Sequence, residues 1–71
     1  MQRELEGLTE AIDEIARIDE ALAANFSQVA NRLEQQGFAV GAAPFRDMSH
    51  RHAQRASRAR ARCAGFLRRH G

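Results

Sequence analysis

The sequence predicts an all-α protein, an antiparallel two-helix hairpin in which a long coiled-coil-like first helix is covered by a second helix rich in arginine and alanine. Three observations carry that reading. Apolar side chains recur every three or four residues through the first half of the chain. A single glycine-led interruption follows at Gly37. The charge is also split: residues 1–36 hold three arginines against eight carboxylates, whereas residues 37–71 hold eight arginines against Asp47 alone. Folded back on each other, the two halves attract.

The first helix is expected over about residues 3–36. Written as heptads, Leu5, Ile12, Asp19, Phe26 and Leu33 fall at one core position and Leu8, Ile15, Leu22, Val29 and Gln36 at the other. Ala16, Ala23 and Ala30 recur every seven residues beside that stripe, so a neighbouring helix can approach closely on that flank and two partners can share the helix. Gly7 weakens the first turns by about 1 kcal/mol relative to alanine.

Gly37 followed by Phe38 reads as a glycine C-cap, with Phe38 positioned to fold back toward Leu33. Residues 37–44 then read as an apolar loop in which Phe38 and Val40 cover the end of the bundle. Pro44 suits the first turn of the second helix, and Asp47 the positive end of its dipole. That helix is expected over about 45–69, with Met48, His52, Ala56, Ala59, Cys63 and Phe66 on one face and Leu67 alongside. Its small side chains complement the bulky stripe of the first helix. At 1.5 Å per residue the helices would measure about 50 Å and about 37 Å, so the amino-terminal turns would project past the shorter partner.

The whole chain, 1–71, reads as a single domain. One helix–helix interface is little for so small a chain, and Cys63 is the only cysteine, so association is the expected source of further stability. Two hairpins pairing as a homodimeric four-helix bundle is the simplest symmetric solution. Ile12, Ile15, Leu22, Phe26, Val29, Leu33, Ala56, Ala59, Cys63 and Phe66 are its expected dimer and core residues.

No arrangement of residues suggests catalysis, a cofactor or a metal. His50 and His52 stand two positions apart, which on a helix turns them about 200° from each other. Asp19, at a core position, is expected either to lie near a bundle edge, with Ile18 taking over part of the contact, or to pair with Arg60 or Arg62 as a register-setting device. There is no apolar run long enough to span a membrane and no secretory leader, and a lone thiol fits a reducing cytoplasm. The expected role is therefore a small non-enzymatic protein that binds and regulates a larger protein. Leu5, Leu8, Phe38 and Val40 would make the apolar contacts, and Arg51, Arg55, Arg58 and Arg62, one side of the second helix, would set orientation. The alternative is an RNA- or DNA-binding module using the same arginine stripe. The acidic first helix and the absence of an aromatic platform beside the arginines weigh against it.

Overall fold

The computed structural model describes residues 2–70, with side chains for 3–69. Two α-helices, α1 (Gln2–Gln35) and α2 (Ala39–His70), pack along their full lengths as an antiparallel hairpin. The result is a rod of 54 × 16 × 11 Å. Its radius of gyration is 16.1 Å, against about 11 Å for a compact domain of this length.

The turn closes as the sequence suggests and is shorter than expected. Gly37 adopts φ 85°, the left-handed conformation that only glycine enters without strain. The Phe38 amide donates to the Leu33 carbonyl (2.8 Å) and the Gly37 amide to the Glu34 carbonyl (3.0 Å), the paired bonds of a Schellman cap. Phe38 leads directly into α2, its carbonyl accepting from the Ala42 amide (3.1 Å). Residues 39–44, expected as loop, are therefore helix. Pro44 lies inside α2 rather than at its start. It is tolerated because the bond it forfeits belongs to the carbonyl of Val40, which stands on an outer face where water can serve. With α2 starting at Ala39, the two helices are nearly equal in length and the expected overhang of α1 disappears. Asp47 lies beyond the first turn and forms an ion pair with Arg51 (2.8 Å).

The buried core is made of alanines: Ala16, Ala23 and Ala30 on α1, Ala42 and Ala56 on α2. Around them the half-buried residues complete two heptad rows. On α1 these are Thr9, Ile12, Phe26 and Leu33, with Asp19 of the same row buried, and on α2 Phe45, Ser49, His52, Ala59, Cys63 and Phe66. Alanine at every seventh place brings the backbones close, so the larger side chains pack beside the alanines instead of across a wide gap. The rings of Phe26 and Phe45 lie 6.2 Å apart, and His52 stacks on Phe26 at 5.5 Å. Ser49 donates to the Ala23 carbonyl (2.7 Å), a contact that requires close backbones.

Candidate interaction surface

The seam between the helices has two flanks, and they are built differently. On one, Arg60 donates to Asp13 and to Glu20 (2.6 Å each), while Arg46 donates to Glu34 (2.7 Å) and Asn31 (3.0 Å). Arg17 adds a hydrogen bond to Asp13 from the next turn. Hydrogen bonds from Arg17 and Arg60 hold the Asp13 carboxyl below its usual range, and that from Arg46 does the same for Glu34. The guanidinium of Arg60 is correspondingly raised by Glu20 and Asp13. This flank is closed by its own charges.

The other flank is open. From α1 it presents Leu8, Ile15, Leu22 and Val29, with Ala11, Ile18 and Asn25 one lane further out. Ile15 and Ile18 are 52% and 53% exposed. These positions alternate by three and four residues and form a second heptad row. At 100° per residue it is turned about 100° from the row that faces α2. A helix with two apolar rows at roughly a right angle has the form of a corner helix in a bundle, in contact with two neighbours. Only one neighbour comes from this chain.

Facing that row across the seam, α2 presents Arg55, Arg62 and Arg69, with Arg51 and Arg58 outside them. Ile15, Arg55, Arg58 and Arg62 line one shallow groove together with Asp19 and Ala59. Arg51 is engaged by Asp47, and Arg55 reaches Asp19 at 3.7 Å. Among the described residues, Arg58, Arg62 and Arg69 meet no carboxylate within ion-pair distance.

The expected docking residues do not form one site. Leu8, Arg51, Arg55, Arg58 and Arg62 share the open flank. Leu5 is half-buried and continues the inner seam. Phe38 (60% exposed) and Val40 (90% exposed) stand at the turn, about 40 Å from Leu8 along the rod. They do not cover the end of the hairpin, because the turn is too short to fold over it. Of the expected dimer and core residues, Ala56 is buried in the seam, with Ile12, Leu22, Phe26, Leu33, Ala59, Cys63 and Phe66 half-buried, whereas Ile15 and Val29 lie exposed on the open flank.

Asp19 is buried, but its partners are not Arg60 or Arg62. His52 Nδ1 donates to Asp19 Oδ1 (2.9 Å), and Arg55 lies beside the second oxygen. Asp19 and His52 stand on neighbouring layers of the two heptad rows, so the pair was open to sequence reasoning only once the hairpin register was known. His52 turns into the seam and His50 toward solvent. Among the described residues no three His, Cys, Asp or Glu side chains gather as metal ligands, and no helix is long and apolar enough to cross a membrane. The chain matches no protein-family profile, no curated protein and no solved structure.

Proposed function

We propose that this chain is a small non-enzymatic interaction protein, a homodimeric helical hairpin that binds a larger protein partner and regulates it. The observation that carries the reading is the open flank of α1, where a full heptad row of apolar side chains lacks a neighbour although the hairpin itself is closed. Burial of a leucine or isoleucine is worth about 1.5–3 kcal/mol, and a row of them at helical spacing is a means of capturing another helix. The accessible surface, 5536 Å², exceeds the roughly 4,400 Å² expected of a folded monomer of this mass by about 1,100 Å². A standard interface takes about 800 Å² from each partner. Of the remaining exposed apolar side chains, Phe38 and Val40 at the turn and Leu67 near the other end of the rod, the pair at the turn would contact the larger partner, with Arg51 and Arg55 beside the open flank orienting it.

Two measurements test this. In affinity capture with nuclease present, a protein retained by the wild type should be lost with V40D and F38D and should survive moderate salt. Titration with mixed nucleic acid at two salt concentrations addresses the alternative: strong binding that falls steeply with salt would replace the protein-binding reading with phosphate tracking by the arginine stripe.

A further inference from the structure

We propose that the open flank of α1 is filled by the α1 of a second copy lying in the same direction, giving a parallel, staggered dimer and not a square four-helix bundle. The inference rests on the homodimeric reading above and adds the face, the orientation and the contacts.

The argument is one of charge. The apolar row belongs to α1 alone; the corresponding corner of α2 carries Arg51, Arg55, Arg58, Arg62 and Arg69. A second copy related by a two-fold axis perpendicular to the rod would pair α1 with an antiparallel α1, but it would also set the two α2 helices side by side with their arginine rows facing. Like charges so placed oppose that arrangement. A two-fold axis along the rod also pairs α1 with α1. Because α2 stands about 90° from the direction of the apolar row, this operation sends the two α2 helices to opposite sides. The arginine rows then separate, and each looks diagonally onto the outer face of the other copy's α1.

That face is acidic at the matching heights. The pairs Asp19–His52, Ala23–Ser49 and Asp13–Arg60 fix the hairpin register, placing Arg58 level with residues 13–15 of α1 and Arg62 level with residues 9–11. Glu14 is exposed there and forms no ion pair within the hairpin. Glu14 and Arg58, both left unpaired by the hairpin, thus become each other's partners across the dimer. In a parallel pairing Asn25 meets its own copy, the one polar layer between Leu8 and Val29, as a single asparagine does where it fixes register and strand number in a coiled coil. The same operation brings both turns, each with an exposed Phe38 and Val40, to one end of the assembly.

The full chain tests this directly. In a C63A background, N25C should oxidise in a glutathione buffer to a covalent dimer, while A53C on the closed flank should not. Light scattering should give twice the chain mass of 7.9 kDa. R58E should weaken dimerisation roughly five- to tenfold, and adding E14R should restore it. An antiparallel dimer predicts the reverse sign, since R58E would then relieve arginine repulsion, and position 25 would not link to itself. A folded chain of single mass overturns both this inference and the homodimer. A dimer that leaves N25C unlinked, or that R58E tightens, overturns the orientation alone and leaves the interaction reading standing.

Discussion

The closed and open flanks of the hairpin use the same two helices to opposite ends. On the closed flank three carboxylates, Asp13, Glu20 and Glu34, each find an arginine of α2. On the open flank apolar residues of α1 face arginines of α2 that have little to hold, and the mismatch leaves both half satisfied. The first arrangement specifies which helix pairs with which and in what direction. The second keeps a surface available. The contrast shows why a chain this small can be a definite hairpin and still carry unspent binding capacity.

The comparison breaks most severely at the seam both flanks share. Ala16 is fully buried, and Ala16→Leu should force the helices apart and cost about 1–3 kcal/mol, measured by urea denaturation, with both flanks opening together. On the open flank, Ile18→Glu should leave helicity of the hairpin in place at low concentration but abolish the rise of melting temperature with protein concentration. A variant that keeps that rise would show that the exposed row is not where chains meet. Gly7 borders the same flank, and a methyl group added there meets nothing within 4 Å. Gly7→Ala should therefore stabilise by about 1 kcal/mol, and the gain should be read in the carboxyl-terminal turns of α2 as well, by amide exchange. The smallest effect belongs to the closed flank. Its Asp13 and Glu34 have depressed folded-state pKa values, so their stabilisation is present above the unfolded carboxylate range and is lost as pH falls through the lower folded values, below about pH 4. Because the pairs are exposed, 1 M salt should mask much of this loss. A stability curve flat from pH 5 to pH 2 would mean that the closed flank contributes specificity only.

Much of the fold was legible in the sequence because it rests on local chemistry. Gly37 and Phe38 marked the cap, the heptads marked the faces, and the alanine row at 16, 23 and 30 marked a flank open to close approach, although α2 was expected against the bulky stripe beside it. The misreading has one source. Pro44 looked like a first-turn residue, so the loop was drawn through residue 44 when the helix begins at Ala39. Lengthening a hairpin loop by that amount slides one helix past the other by close to a heptad. A slip of one heptad preserves every face and changes every pair. For this reason α2 was given the right buried side, while Asp19 was matched to Arg60 or Arg62 when His52 and Arg55 stand there. The open flank was legible as residues and not as a flank, since the heptad alone does not say which of two adjacent rows the chain itself will cover. The alanines decide it, by permitting the closer approach.

The three residues between the helices also set an order of events. The shortest ring the chain can close is at Gly37, where the Phe38 amide meets the Leu33 carbonyl at the smallest entropic cost, and each later layer adds only a few residues to a ring already formed. Zippering from the turn toward the free ends is the inexpensive route. On a ribosome, however, α1 is made first and waits with both apolar rows bare until residues beyond 38 emerge. During that interval it is most open to capture by any other apolar surface.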